Sequence, residues 1–250
     1  MPAKPCTLEP APFPGVTLVG GGPGDPELIT VAGLRALLAA DVVITDRLAP
    51  QELLAQLSPR VELIDVAKVP RSRFTAQSDI NALLIERAAD GRCVVRLKGG
   101  DNYVFGRGFE EVQALQAAGI PVRVIPGLSS AVAVPALAEI PVTHRGVVHE
   151  FTVVSGHLPP GHPESLVEWT SLAALRGTLV LMMAVQNAGA IAETLIAGGR
   201  AGDEPAAVIA DGSLPTQRTV RTTLARLAEA IVAERIGPPA IIVIGEVAAL

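Results

Sequence analysis

Two side chains stand where a proton could be moved. Asp46 ends an apolar run, Val42–Thr45, and Lys68 lies just past another, Val61–Ile64. If these runs are parallel strands, both residues reach the same strand-end face. A carboxylate and an amine beside one cleft suit a base and an acid once burial tunes them. A surface ion pair is the other reading. Arg47, Arg71, Arg73, Arg107 and Arg145 all fall in segments expected at strand carboxyl ends. Converging guanidinium forks pair bidentately with carboxylates, so they would suit a polyanionic substrate; scattered solvent arginines are the alternative. His144, His149, His157 and His162 show no metal-ligand spacing on one helix face, and no metal site is expected.

Between these groups lies the stretch Arg96-Leu97-Lys98-Gly99-Gly100-Asp101-Asn102-Tyr103-Val104-Phe105-Gly106-Arg107-Gly108. The run Cys93–Leu97 leads into it and reads as a buried strand. Gly99 and Gly100 let the backbone touch a ligand or take φ > 0. Asp101 is an acceptor for a hydroxyl or an amine. A loop of this kind at a strand's carboxyl end is where open α/β sheets bind ligands; a tight turn with a solvated Asp is the alternative. Gly20-Gly21-Gly22-Pro23-Gly24-Asp25-Pro26 is another glycine loop. It is no P-loop, because no Gly-Lys-Ser/Thr follows, and no dinucleotide fingerprint, because position 25 is Asp and position 27 is Glu.

The elements that must position these groups alternate. Strand Val16–Val19 leads to a helix from Pro26 to about Ala40, with Asp25 as N-cap and Leu28, Val31, Leu34 and Leu38 at helical spacing. Strand Val42–Thr45, helix 50–57, strand Val61–Ile64 and helix 77–89 follow. After the central strand come helix 109–118, strand 122–125 and an Ala/Val-rich helix opened by Pro126-Gly127-Leu128-Ser129-Ser130. Residues 139–150 read as a linker. The pattern then restarts with strands at 151–155, 178–183, 206–209, 218–222 and 240–244 and helices at 187–197 and 223–235. The expectation is a Pro-rich arm (1–15), an N-terminal α/β domain (16–138) and a C-terminal α/β domain (151–250), with mostly parallel or mixed sheets and right-handed crossovers.

Bulk composition agrees. The 250 residues are 49% hydrophobic, 18% charged and only 3% aromatic, so the core must be aliphatic, as in sheets covered by helices. A net charge of −5 leaves no basic field for nucleic acid. Lys4, Lys68 and Lys98 are the only lysines. Cys6 and Cys93 form no zinc or disulfide pattern, and Cys93 reads as a small buried hydrophobe. The Pro-rich start has no apolar run of a signal peptide, and no stretch is long enough to cross a membrane. A cytoplasmic protein is expected.

Several segments together resemble a known family. They are Val-Gly-Gly-Gly-Pro-Gly-Asp-Pro-Glu-Leu-Ile-Thr (19–30), Asp-Val-Val-Ile-Thr-Asp-Arg-Leu (41–48), Arg-Leu-Lys-Gly-Gly-Asp (96–101), Phe-Gly-Arg-Gly (105–108), Pro-Gly-Leu-Ser-Ser-Ala (126–131) and Ile-Pro-Val-Thr-His-Arg (140–145). The chain is similar to the tetrapyrrole methyltransferases, and among them to uroporphyrinogen-III C-methyltransferases, from about Val16 to Leu250. The resemblance implies the class III methyltransferase fold, with a cofactor cleft between two α/β domains, and a homodimer. It implies S-adenosylmethionine as methyl donor, S-adenosylhomocysteine as product, and methylation of uroporphyrinogen III at C2 and C7 to give precorrin-2 for sirohaem or cobalamin. By matching position, Pro23, Gly99, Gly100, Asp101, Val104, Ser129, Ser130, Met183, Gly212 and Ala240 would line the cofactor pocket. Asp46 and Lys68 match the proton acceptor and donor. Arg107, grouped with them as catalytic, and Arg47, Glu110 and Arg145 match positions facing the tetrapyrrole. The matched stretch holds none of the dehydrogenase/chelatase part that some relatives carry, so methylation alone is expected.

The chain departs from the family pattern in places. Ala67-Lys68-Val69 with Arg73 replaces Gly-Lys-Arg with a later His, and Asp101-Asn102-Tyr103 replaces Asp-Pro-Phe. Thr45 stands in place of Tyr, and Gly146 in place of Asp. Losing proline's fixed φ at Asn102 predicts a looser loop and a weaker hold on the cofactor. Two alternatives share the pattern: a later corrin-ring methyltransferase, and a tetrapyrrole-binding protein without turnover.

Overall fold

A computed structural model describes residues 9–67 and 76–250. The chain divides into two compact units, one ending at Ser129 and the other beginning at Ser130.

The first unit is built on strands β1 (Gly15–Gly20), β2 (Val42–Thr45), β3 (Glu62–Asp65), β4 (Cys93–Lys98) and β5 (Val122–Ile125). They form one parallel sheet in the order β3-β2-β4-β1-β5. Four helices cover it: α1 (Val31–Leu38), α2 (Gln51–Leu54), α3 (Gln77–Ala88) and α4 (Gly108–Ala117). Residues of α1 and α2 pack with Val19, Val43, Val95 and Leu97, whereas residues of α3 and α4 pack with Val16, Leu18, Ile44 and Val94. The two layers therefore take alternate side chains of the same strands, as the strand period of two dictates. Neighbours β1 and β4 send their following helices to opposite faces. The crevice outside their carboxyl ends is the place where such sheets bind ligands.

The first helix is shorter than its apolar spacing implies. Asp25 does cap, accepting from Glu27 N–H at 2.8 Å, but only a 3-10 turn, Pro26–Leu28, follows. Ile29 and Thr30 are extended, and the Thr30 hydroxyl accepts from Gly33 N–H at 3.0 Å to start α1. The buried positions are Gly33, Ala36 and Leu37, while Val31 and Leu38 are about half exposed. A threonine three residues before a glycine outcompetes continuation of the helix. The expected helix 50–57 shrinks to α2, followed by turns. Cys93 is a free thiol and only partly buried, because it is the first residue of the central strand β4, at the sheet's amino-terminal end.

The described part of the N-terminal arm is tied down, not loose. Ala11 N–H donates to Arg35 O at 3.1 Å, and Arg35 Nε donates to Glu9 O at 2.7 Å. Arg123 bonds Ala11 O and lies 4.8 Å over the Phe13 ring.

The second unit opens with α5 (Ser130–Leu137). Its sheet contains β6 (Phe151–Ser155), β7 (Thr178–Met182), β8 (Pro205–Ala210), β9 (Arg218–Thr223) and β10 (Ala240–Ile244), in the order β6-β7-β10-β8-β9. Only β6 and β7 pair in parallel; the other pairs are antiparallel. Helices α6 (Trp169–Ala174), α7 (Ala188–Ala197) and α8 (Leu227–Ala233) pack on one face. On the other, Ala131 and Val134 of α5 join Ile140, Val180, Ile209 and Val243. The stretch read as a linker thus supplies a fully buried core residue, Ile140. Helix α6 had no clear periodic signal, since its six residues hold a single apolar stripe of Trp169, Leu172 and Ala173. The helix expected at 223–235 starts as a 3-10 turn, Leu224–Arg226, before α8.

Candidate active site

Three backbone segments meet at the carboxyl end of the first sheet. Gly21 N–H donates to Lys98 O at 2.7 Å, Gly22 N–H to Gly100 O at 3.1 Å, and Gly100 N–H to Gly22 O at 2.6 Å. The segment after β5 packs on both. A Cβ on Gly127 would lie 2.3 Å from Gly100 O and 2.6 Å from Gly20 O, so only glycine fits there. Gly99 is packed too: its missing Cβ makes room for Leu48 O, at 2.5 Å from where the Cβ would be. Its role in the fold is close approach to the loop after β2. Pro23 lies in the loop beyond this crossing and is half-buried.

The loop after β4 is fixed by its own polar side chains. Asp101 Oδ1 accepts from Tyr103 N–H at 2.8 Å and Val104 N–H at 3.3 Å, while Oδ2 accepts from Gly127 N–H at 3.1 Å. Asn102 is fully buried and donates from Nδ2 to Ile125 O at 2.8 Å. The looseness expected from losing proline is therefore corrected: a side-chain tether to the end of β5 takes the place of a fixed φ. Tyr103, Val104, Phe105 and Phe109 leave apolar surface exposed around this loop, with Tyr103 and Phe109 in an edge contact at 6.0 Å.

Asp46 follows β2 at the same sheet end and is 30% exposed. Its Oδ1 accepts from Leu48 N–H at 3.1 Å and its Oδ2 from Arg96 Nη2 at 3.3 Å. Arg47 beside it is exposed. Arg107 caps α4 in the left-handed region (φ 57) and pairs bidentately with Glu110, at 3.1 and 2.5 Å. That ion pair holds the Glu110 carboxyl below, and the Arg107 guanidinium above, their ordinary ranges. Both side chains remain about half exposed. Lys68, Arg71 and Arg73 lie outside the described residues.

Sequence reasoning missed a buried ionic cluster beneath Asp46. Arg96 and Lys98 sit two apart on β4, on the α4 side, and are 2% and 5% exposed. Both donate to Glu111 Oε1, from Arg96 Nε at 3.2 Å and Lys98 Nζ at 3.1 Å, and Gln77 Nε2 adds a third contact at 3.3 Å. Glu111 is 0% exposed. Burial, and then the Arg96 charge, push the Lys98 amine below its ordinary range, against the pull of Glu111. Two basic residues spaced two apart in an otherwise apolar strand were the signal.

In the second unit, Met183, Gly212 and Ala240 come to one end of the sheet. Met183 follows β7, Gly212 follows β8, and Ala240 opens β10 opposite Ala210, with Ile241 opposite Met182. Met183 is not the core side chain that its apolar run suggests. It has φ 56 and is 47% exposed, because the strand ends one residue earlier. Gly212 is closed in by Val134, whose Cγ1 would lie 2.4 Å from an added Cβ. Ser129 ends the first unit and Ser130 starts α5. Arg145 is exposed in the turn between the bridged residues His144 and Val148.

Residues 15–228 match the family model described as tetrapyrrole (corrin/porphyrin) methylases. This chain belongs to that family. It is 44% identical, over 93% of its length and 91% of the relative's, to an S-adenosyl-L-methionine-dependent uroporphyrinogen III methyltransferase from Methanosarcina barkeri. A uroporphyrin-III C-methyltransferase from Thermus thermophilus, solved with S-adenosylhomocysteine, superposes at a TM-score of 0.80 with 39% identity, covering 94% of this chain and 99% of that one. A cobalt precorrin-4 methyltransferase superposes at 0.84 with 27% identity, covering 93% of this chain and 95% of that one. The family fold is thus the tetrapyrrole methylase fold, and the two sheets described above are its two halves.

Proposed function

We propose that the protein is an S-adenosylmethionine-dependent C-methyltransferase that methylates uroporphyrinogen III at C2 and C7, giving precorrin-2. The observation that carries this is the 44% identity to an S-adenosyl-L-methionine-dependent uroporphyrinogen III methyltransferase over nearly the whole chain. The cross-tied loops fit the donor. Backbone carbonyls of the segments around Gly22, Gly99 and Gly100 offer acceptors for its amino-acid end, while the Gly22 and Gly100 amides are spent on each other's carbonyls. Exposed Val104 and Met183 offer apolar surface of the kind an adenosyl group covers. Pro23, Asp101, Ser129, Ser130, Gly212 and Ala240 complete the proposed pocket.

When bound, S-adenosylmethionine supplies an electrophilic methyl group on a sulfonium. The protein's share of the work is positioning, worth several kcal/mol where reacting atoms are held in line. Arg47, Arg107 and Arg145 pair with carboxylates of the tetrapyrrole, Glu110 orienting Arg107 from its own helix. Asp46 takes the proton that the macrocycle loses, from a position other than the methylated carbon, after methylation, with Lys68 as the proposed donor. Its Oδ1 is committed to Leu48 N–H and its Oδ2 to Arg96, so the carboxylate is held in one orientation while staying partly exposed. A homodimer in the cytoplasm belongs to the same reading, and light scattering of the purified protein tests the dimer.

A later ring methylation is the second reading, favoured by the TM-score of 0.84 to the cobalt precorrin-4 enzyme. Mass spectrometry of an anaerobic reaction with S-adenosylmethionine and uroporphyrinogen III separates the two. Two added methyl groups support the first reading. Unchanged substrate beside intact cofactor binding refutes it.

A further inference from the structure

We infer that Glu111 is a positioning residue of this site, acting through Arg96 to hold Asp46. The inference rests on the reading of Asp46 as proton acceptor. Glu111 itself is fully buried on α4 and reaches no exposed surface from which it could touch substrate. Its Oε1 nevertheless gathers Arg96 Nε, Lys98 Nζ and Gln77 Nε2, from β4 and α3. Burying a carboxylate and two cations is justified on stability grounds only weakly, since apolar replacements of such clusters often do as well. The cluster's placement supplies the reason. Arg96 is fixed at every nitrogen: Nε on Glu111, Nη1 on Ile44 O and Leu97 O at 3.4 and 3.1 Å, and Nη2 on Asp46 Oδ2.

Charge balance points the same way. Within the cluster, Glu111 and Asp46 are the anions and Arg96 and Lys98 the cations. With Glu111 in place, Lys98 and the Nε edge of Arg96 are served from below. Asp46 then meets only the Nη2 edge and keeps its outer side for substrate. Without it, both buried cations have Asp46 as the one carboxylate left in the cluster, and the guanidinium loses its only charged anchor at Nε, keeping the Nη1 bonds to Ile44 O and Leu97 O.

The test is a double-mutant cycle on the full chain, with anaerobic methyl transfer from radiolabelled S-adenosylmethionine to uroporphyrinogen III as the rate. Glu111→Gln keeps the shape but offers one neutral carbonyl to three donors. We expect kcat to fall about ten- to a hundred-fold, the scale of a misplaced catalytic group. Affinity for S-adenosylhomocysteine, measured by calorimetry, should stay within about two-fold, because the change is confined to orientation of Asp46. In an Asp46→Asn background the same substitution should cost less than about two-fold more, since groups acting as a unit are not additive. A merely structural Glu111 would lower both backgrounds equally, and that result overturns the inference, as does a wild-type kcat for Glu111→Gln. If Glu111→Gln does not fold, the Lys98→Met/Glu111→Gln pair removes one cation with the anion and enters the same cycle. If Asp46→Asn alone leaves turnover at the wild-type value, the reading of Asp46 fails first, and the route assigned to Glu111 falls with it.

Discussion

Gly127→Ala tests whether the ligand end of the first sheet depends on backbone-to-backbone packing. The added methyl carbon would sit 2.3 Å from Gly100 O and 2.6 Å from the carbonyl carbon and oxygen of Gly20. Carbon and oxygen come no closer than about 3.3 Å in normal contact, so relief requires a movement of roughly 1 Å. No flexible side-chain end can supply it. Every opposing atom is backbone, and Gly100 is locked by its two bonds to Gly22. Overpacking costs typically about 1–3 kcal/mol, and a site with no room to relax belongs at the upper end, about 3 kcal/mol. For a chain of this size that lowers Tm by roughly 6–12 °C. Moving Gly127 also breaks its bond to Asp101 Oδ2, so the loop from Asp101 to Arg107 loses one of its tethers and keeps the Asn102 bond to Ile125 O. Affinity for S-adenosylhomocysteine should therefore fall together with Tm. Gly91→Ala is the control. Gly91 has φ +71 and open space around its Cβ position, so only left-handed strain remains, about 1–2 kcal/mol. Scanning calorimetry and isothermal titration read both variants. A Gly127→Ala protein that melts with the control and binds as wild type would refute the packing argument.

Other substitutions separate the roles assigned above. Asp46→Asn should lower kcat about a hundred-fold or more, as loss of a general base does, with cofactor affinity unchanged in calorimetry. Arg107→Ala should raise KM for the tetrapyrrole while Tm stays within about 2 °C, because its exposed pair with Glu110 contributes under about 1 kcal/mol to folding. Glu204 gives a pH signature. Burial pushes its carboxyl above the ordinary value of 4.5, against the pull of Arg200. The folded chain then holds a proton that the unfolded chain has released, so this group's contribution is fully favourable below pH 4.5 and is lost as pH rises through the raised value. Tm of Glu204→Gln minus that of wild type should accordingly grow more positive as pH rises above 4.5, and a flat or falling difference across thermal melts would contradict the shift.

The strands were largely legible because their apolar runs are short and sharply bounded. Strands β2, β5, β6 and β10 start and stop where Val- and Ile-rich runs do. Helices were less legible where a local polar contact competes with periodicity. Thr30 breaks the first helix by capping Gly33, although the apolar spacing runs straight through it. Ile140 shows the converse. It stands in a Pro- and His-bearing stretch that reads as a connector, yet it is fully buried beside α5 and the second sheet. Burial of a lone apolar residue depends on a partner surface made by residues far along the chain, and no local window contains that partner.

The site divides along the same line. Residues at strand carboxyl ends were legible, because a parallel sheet must bring all such ends to one face, and Asp46, Gly99 and Asp101 meet there. Glu111 was not. On α4 it follows Glu110, and two acids in a helix's first turn are explained well enough by the helix dipole. The dipole account is sufficient for Glu110, which is exposed, and insufficient for its neighbour, which is 0% exposed. The deciding fact is the phase of β4. Val94, packed on the α3–α4 side, and Leu97, packed on the other, fix that phase, so Arg96 and Lys98 must point under α4. Two cations in a dry layer demand an anion from the covering helix. The sequence held both halves of this requirement, fifteen residues apart between Arg96 and Glu111. Strand alternation, combined with one burial assignment, would have joined them.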